Sequence, residues 1–307
     1  MRAWDRLGRE PLGTQLVPDG IAGRVVFDDR PCEPRGAVSP DAPPSSENEE
    51  FWRDFLSRGH SKERAGRRVF KLIPRDPRCR LCAAPFSGPG APLMRLIGKK
   101  PSDKNPNWCG SCFTFMTDNH GGAEIECTLL FADIRGSTAL AEGMPPAEFR
   151  QLMDRFYDTA AAVVFDHDGI VDKFVGDELV AMFFPLLSGT RHAARGVDAA
   201  GELLRATGHA DQGGPWVPLG AGVHTGMAWV GAVGAGTHTT MTALGDAVNT
   251  TARLASAAGA GEILVTTDAA TAAGLDSSLE RKLLDLKGKQ EPVQVVRLTV
   301  SPLSNAG

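Results

Sequence analysis

The most regular hydrophobic pattern in the chain lies at about residues 146–166. Phe149, Leu152, Met153, Phe156 and Ala160 recur at helical spacing, and Pro146 suits a first helical turn. Around this helix the pattern alternates between two periods. A run of β-branched and aromatic residues at about 124–133 predicts a strand. Residues 169–175 and 178–184 predict two strands flanking the hairpin signal Gly176-Asp177. A second helix follows at about 191–207, then strands at about 217–224 and 227–233. A helix runs from Gly245 to near Gly259, a strand covers 262–266, and a terminal strand pair lies at about 280–299. The order βαββαβ with additions predicts an α+β sandwich with helices on one face of a largely antiparallel sheet.

The first third of the chain reads differently. Residues 1–50 form a Pro-, Ser- and acid-rich tail without apolar periodicity, apart from one short strand candidate at 22–27. Residues 50–73 are expected to be helical, with Phe51, Trp52 and Phe55 sharing a face and the basic cluster Lys62–Lys71 on a solvated face. A Gly- and Pro-rich cysteine module covers about 74–112, and an 11-residue link, 113–123, leads to the first strand. Three regions result: the tail, 1–50; a helical and cysteine-bearing region with a short transducing link, 51–122; and a larger α+β domain, 123–307.

Composition narrows the function. The 307 residues include 42% hydrophobic ones, enough for a globular core, and 35 Gly with 21 Pro, which make the chain rich in turns. The 33 Lys+Arg against 37 Asp+Glu leave a net charge of −4, which argues against a nucleic-acid binder. Tyr157 is the single tyrosine, a poor basis for stacking single-stranded bases. The uncharged stretch Trp216–Gly245 is repeatedly interrupted by Gly, Thr, His and Pro, so no membrane helix is expected. The start, MRAWDRLGREPLG, lacks the apolar core of a secretory signal, and a cytoplasmic, soluble chain is the expectation.

Cys79/Cys82 and Cys109/Cys112 are two C-x-x-C pairs separated by 26 residues, 83–108. In a cytoplasmic chain this spacing reads as a four-thiolate metal site rather than as two disulfides. Zn²⁺ in a closed structural site and an iron–sulfur cluster both accept four cysteines. Cys127, inside the strand at 124–133, reads as a small core residue.

Three islands in the larger domain concentrate chemistry. In Phe131-Ala-Asp-Ile-Arg-Gly-Ser-Thr138 a carboxylate, Asp133, ends a buried strand, and Gly136, Ser137 and Thr138 open a turn and a helix. That places a carboxylate beside free backbone N–H groups, which suits a metal-bound phosphate. In Lys173-Phe-Val-Gly-Asp177 a second carboxylate sits at a hairpin tip. Two carboxylates on adjacent strands can hold two divalent ions for in-line displacement at phosphorus. In Thr242-Ala-Leu-Gly-Asp-Ala-Val-Asn249-Thr-Thr-Ala-Arg253, Asn249 and Arg253 lie one helical turn apart, an amide and a guanidinium on one face.

In order and spacing these islands resemble the catalytic domain of class III nucleotidyl cyclases, over about residues 124–299. Gly222-Val-His-Thr-Gly226 and Leu286-Lys-Gly-Lys289 look like further landmarks of that family. The resemblance implies a βαββαβ sandwich, active as a homodimer with sites at the interface. It implies that Asp133 and Asp177 hold two Mg²⁺ or Mn²⁺ ions, with the Ile134 carbonyl as a further ligand. Asn249 would orient the ribose, and Arg253 would stabilise charge on the α-phosphoryl group, both from the partner chain. The positions that read the base match Lys173 and Thr242, so ATP is favoured over GTP and adenylate cyclase activity is implied. A guanylate cyclase and a catalytically silent cyclase-like regulatory domain are the alternatives. One departure stands out: Gly220 occupies a position where many family members carry a phosphate-binding Arg. Lys287, or failing it Lys289, is then the candidate for that charge. The short link suggests that the cysteine module regulates the cyclase, by redox if the metal is iron.

Overall fold

The structure, a computed structural model, describes residues 46–58, 61–73, 77–235, 238–286, 289 and 291–300, the side chains of 61–64 apart. Four helices come first: α1 (Ser46–Arg58), α2 (Ser61–Lys71), α3 (Ala91–Leu96) and α4 (Gly110–Asp118). Then follow β1 (Gly121–Ile134), α5 (Ser137–Gly143), α6 (Pro146–Asp166), β2 (Ile170–Val175), β3 (Glu178–Phe183), α7 (Pro185–Ser188), α8 (His192–Ala206) and β4 (Leu219–Val233). The chain ends with β5 (Thr240–Leu244), α9 (Asp246–Ala257), β6 (Glu262–Thr266), α10 (Thr267–Ala273), β7 (Arg281–Leu284) and β8 (Val293–Thr299).

One sheet joins all the strands, in the order β2-β3-β1-β4-β6-β8-β7, with β5 paired to β4. Every pairing is antiparallel except β4 with β6. At the centre β1 pairs over its whole length with β4, from Gly121 opposite Ala232 to Ile134 opposite Leu219. On its other side Asp133 pairs with Glu178 of β3. Among the described residues no helix is long and apolar enough to cross a membrane.

Side chains of β1 alternate between two hydrophobic cores, as a period of two requires. Leu130, Ala132 and Ile134 pack with α6 and α8 through Met153, Phe156, Ala160, Leu203 and Leu204. Ile125, Cys127, Leu129 and Phe131 pack on the opposite face with Trp52, Phe55, Trp108, Phe113 and Met116. The prediction of helices on one face only is therefore corrected. The apolar side chains of the cysteine module, such as Leu81, Phe86 and Trp108, share one core with the second face of the sheet, to which α9 adds Ala247 and Ala255. Burying each of these large side chains contributes on the order of 1.5–3 kcal/mol. Trp52 Nε1 also donates to the Asn119 carbonyl at 2.8 Å, which ties α1 to the entry of β1.

Several boundaries differ from the sequence pattern. The single helix expected over 50–73 is two, and α1 starts at Ser46, inside the stretch read as tail. The link expected over 113–123 is mostly α4, which meets β1 after Asn119 and His120. The strands expected at 217–224 and 227–233 are one strand, because Gly226 stays extended opposite Cys127 instead of turning. β5 and α10 are additional elements, whereas the helix expected to open at Ser137 is α5. The basic cluster is not all solvated: Arg67 is only 4% exposed. The strand expected at 22–27 lies outside the described residues.

A polar thread crosses the α8-side core. Thr128 Oγ1 lies 2.9 Å from His192 Nδ1 and 2.8 Å from Thr225 Oγ1. Burial holds the His192 pKa below its ordinary 6.5, with Glu126 opposing. The unfolded chain therefore takes up a proton near pH 6.5 that the folded chain refuses, and stability present above that pH is lost as pH falls. Replacing His192 with Gln is expected to flatten the decline of melting temperature between about pH 7 and 5. A decline as steep as the wild type's removes His192 from this role.

Candidate active site and four-cysteine centre

The carboxylate site forms where β1 ends beside the β2–β3 hairpin. Gly176 takes a φ of +61°, a left-handed turn conformation that glycine adopts without strain. Tyr157 on α6 donates its hydroxyl to the Gly176 carbonyl and stacks on Phe174, at 4.3 Å between ring centres. The single tyrosine thus braces the turn that presents Asp177. The register sets Asp133 opposite Glu178, the residue after Asp177, so the two aspartates lie at adjoining strand ends. Burial pushes Asp133 up to about 6; its ion pair with Arg135 opposes this, and Asp177 adds to it. Glu178, directly opposite Asp133, is raised to about 7 by burial and by the two aspartates. This third carboxylate is missed by motif reading, although the antiparallel register brings it to Asp133. Three acidic groups with one guanidinium beside them form an electronegative corner whose donor set fits a hard divalent cation. Ile134 ends β1 here, Arg135 and Gly136 form the turn, and Ser137 and Thr138 begin α5.

Lys173 and Thr242 also meet. Lys173 Nζ donates to Thr242 Oγ1 at 3.3 Å, although the two residues are 69 apart in sequence. The β2–β3 register shifts between Val171 and Lys173, so Asp172 is a bulged residue. Asp172 accepts the Thr242 hydroxyl at 2.6 Å.

Asn249 and Arg253 stand one turn apart on α9, Asn249 exposed and Arg253 half-buried. Among the described residues neither side chain has a hydrogen bond or ion pair, so the chain does not bring them onto its own carboxylates. A Cβ at Gly220 would lie 2.8 Å from the Ala258 carbonyl oxygen at the end of α9. The absence of a side chain there is thus a packing requirement in this chain. Lys287 lies outside the described residues, and Lys289 is engaged by Asp246.

The two cysteine pairs converge. Cys79 and Cys82 sit on a knuckle closed by the Ala83 N–H to the Cys79 carbonyl, 2.9 Å. Cys109 caps α4 and Cys112 lies in its first turn. All four Sγ atoms lie within 4.8 Å of one another, and Cys82 and Cys109 are 3.7 Å apart. The Cys109 N–H donates to Cys79 Sγ at 3.3 Å. That contact and the three neighbouring thiols, Cys109 first, hold the Cys79 thiol well below its usual range. The donor set fits a metal ion. Cys127, by contrast, is isolated in the core, and burial pushes its thiol up to about 12.

The family model for the adenylate and guanylate cyclase catalytic domain matches residues 123–297. The chain belongs to this family. Adenylate cyclase 1 of Rhizobium meliloti is 38% identical over 134 residues, 42% of this chain and 20% of that protein. The adenylate cyclase of Anabaena cylindrica is 29% identical over 179 residues, 55% of this chain and 36% of that protein. The chain thus matches well under half the length of either relative. Among solved structures, the guanylyl cyclase Cya2 superposes with a TM-score of 0.54 and 27% identity, over 61% of this chain and 98% of that one. The adenylyl cyclase CyaB from P. aeruginosa gives 0.52 and 26%, over 59% and 97%. The cyclase fold is shared with enzymes named for either nucleotide.

Two arginines tie the cysteine knuckle to the cyclase sheet. Arg67 Nη1 donates to the Leu81 carbonyl at 2.6 Å, and its Nε lies 3.9 Å from Asp168. Arg80, between the first two cysteines, donates to the carbonyls of Val171 at 3.0 Å and Asp172 at 3.4 Å. The knuckle therefore braces the bulge that carries Asp172 and Lys173. Arg80→Ala is expected to lower the unfolding free energy by about 1–3 kcal/mol, because charged donors to partly buried carbonyls are lost. An unchanged denaturation curve eliminates this brace.

Proposed function

We propose that the chain is an adenylate cyclase that converts ATP to 3′,5′-cyclic AMP and diphosphate at sites shared by two copies. The observation that carries this reading is the antiparallel register that sets Asp133 opposite Glu178 and so beside the Asp177 turn, at the adjoining ends of β1 and the β2–β3 hairpin. These aspartates and the Ile134 carbonyl would hold two Mg²⁺ or Mn²⁺ ions. Such ions supply charge neutralisation at the phosphates and lower the pKa of the ribose 3′-hydroxyl. The backbone at Gly136, Ser137 and Thr138 lies beside that corner and faces the phosphates. Lys173 donates to adenine N1, with Thr242 next to it; guanine carries a donor there and is disfavoured. Asn249 holds the ribose so that O3′ lines up with the α-phosphorus. Arg253 stabilises the negative charge that grows on the α-phosphoryl group as diphosphate leaves. Lys287 is proposed to meet the terminal phosphates in place of a side chain at 220.

The homodimer reading rests on the Asn249 and Arg253 side chains, unengaged among the described residues, and on the exposed apolar residues Met227 and Leu244. One copy supplies the carboxylates and the other the α9 pair, so a symmetric dimer builds two sites. We further propose that residues 123–307 form the catalytic unit and 51–122 its regulator. From Cys112 to Asp133 runs α4, then β1, with two residues between. This path supports mechanical transmission from the cysteine centre to the carboxylates.

For the four cysteines the spacing supports one tetrahedral ion, Zn²⁺. A Zn–S bond of about 2.3 Å gives an S···S edge of about 3.8 Å, near the 3.7 Å between Cys82 and Cys109. A cluster distributes its thiolates over several irons and needs them further apart. Four reduced thiols and an ATP substrate suit a cytoplasmic setting.

Incubation with Mn²⁺ and ATP is expected to yield cyclic AMP, and GTP far less cyclic product; the reverse preference, or no product from either, overturns the reading. Lys173→Glu is expected to remove most cyclic AMP formation. Asp133→Asn and Asn249→Ala are each expected to be inactive alone. Mixed, they should regain about a quarter of wild-type activity, since half of the dimers are then mixed and each has one intact site. Elemental analysis is expected to give one zinc per chain in a colourless protein. Iron with visible absorption would replace zinc by a redox-active centre.

A further inference from the structure

Lys173 and Thr242 are joined by a third residue, Asp172, which no motif singles out. The bulge between Val171 and Lys173 lets two consecutive residues of β2 reach the same partner on β5. Asp172 Oδ2 accepts the Thr242 hydroxyl at 2.6 Å and lies 3.5 Å from Lys173 Nζ. The single hydroxyl proton of Thr242 is thereby committed to Asp172, and its oxygen accepts from Lys173 at 3.3 Å. The three residues are layered. The Asp172 side chain is 3% exposed, Thr242 is buried, and the Lys173 side chain is 49% exposed. A base approaching this site meets the ammonium, not the hydroxyl. Of the three N–H donors on that ammonium, one is directed to Thr242 and one to Asp172, which leaves one for a ligand.

We propose that Asp172 is a specificity-determining positioning residue: it fixes the Lys173 ammonium so that the remaining N–H meets an acceptor at purine N1. Adenine offers that acceptor; guanine carries N–H at the same place. Without the buried carboxylate, a lysine on a flexible four-carbon stem samples many rotamers and reads N1 poorly. Arg80 supports this from behind, since its donation to the Asp172 carbonyl, 3.4 Å, holds the bulge in place. The inference rests on the adenylate cyclase reading and adds to it the residue through which the base is chosen.

The test compares the full-length wild type with Asp172→Asn on ATP, 1-deaza-ATP and GTP, with Mn²⁺. Asn keeps an acceptor for the Thr242 hydroxyl and removes only the charge that holds the ammonium. The wild type is expected to prefer ATP over 1-deaza-ATP, which lacks the N1 acceptor, by about tenfold or more in kcat/KM. In Asp172→Asn that ratio is expected to collapse to within about threefold, through a higher KM for ATP more than a lower kcat, and the margin over GTP shrinks with it. General damage lowers both adenine substrates by one factor and leaves the ratio intact; that result overturns the role of Asp172. A wild type that does not distinguish ATP from 1-deaza-ATP, or that prefers GTP, instead overturns the adenine reading beneath it. If Asp172→Asn does not fold by circular dichroism, Thr242→Val removes the other anchor of the ammonium. It is expected to give the same collapse, and a preserved ratio again overturns the proposal.

Discussion

Strand β1 is buried on both faces, and the rest of the molecule is arranged around that constraint. Its alternate residues serve different cores. Leu130, Ala132 and Ile134 belong to the α6–α8 layer. Ile125, Cys127, Leu129 and Phe131 belong to the layer built by α1, α4 and the cysteine module. A slip of one residue would exchange the two sets and drive Thr128 into the aromatic core. The register is therefore fixed from both sides. It sets which strand residue emerges at the end of the sheet, and that residue is Asp133, opposite Glu178 and beside the Asp177 turn. The position of the carboxylate site is thus a consequence of packing many residues away.

Charge is distributed along the same framework. Asp168, with φ at +61°, turns the chain from α6 into β2 and gathers Lys71 at 2.9 Å, with Arg67 and Arg195 at 3.9 Å. Asp tolerates that left-handed conformation better than most side chains. Lys71 and Arg67 come from α2, so this one turn anchors the basic helix that precedes the knuckle. A few residues further on, in the first half of β2, the knuckle itself reaches the bulge through Arg80. The strand that carries Lys173 is thus held along its first half by the cysteine-bearing segment. Among the described residues the carboxylate corner has only Arg135 to offset three acids, and burial adds to the repulsion at Asp133 and Glu178. An arrangement that costs stability in the absence of cations is usual at sites that exist to bind them.

Much of the site was legible in the chain. Asp133 and Asp177 stand out because each follows a strand pattern and sits at a turn signal. Lys173 and Thr242 stand out through family resemblance, and the structure joins them. The cysteine pairs are legible from spacing, and their sulfurs converge. Glu178, Asp172, Tyr157 and Arg80 were not legible. Each acts across strands or between layers, and no local period marks an acid opposite another acid or an arginine beneath a bulge. Gly226 misled for a related reason: glycine signals a turn locally, but here it lies within a paired strand.

The sequence by itself determined the order of the βαββαβ core, the α+β class, the four-thiolate pattern and the family, because periodicity, turn residues and motif spacing are local properties. Only the tertiary structure decided that the cysteine segment closes the second face of the cyclase sheet rather than standing apart on a link. That outcome depends on whether a small segment can bury its own apolar side chains. Here Trp52, Phe55 and Phe113 find their partners on β1 and its neighbours. The same burial places Arg80 against β2 and the buried Asp172 beneath Lys173, contacts between residues about 70 to 90 positions apart that no local pattern encodes.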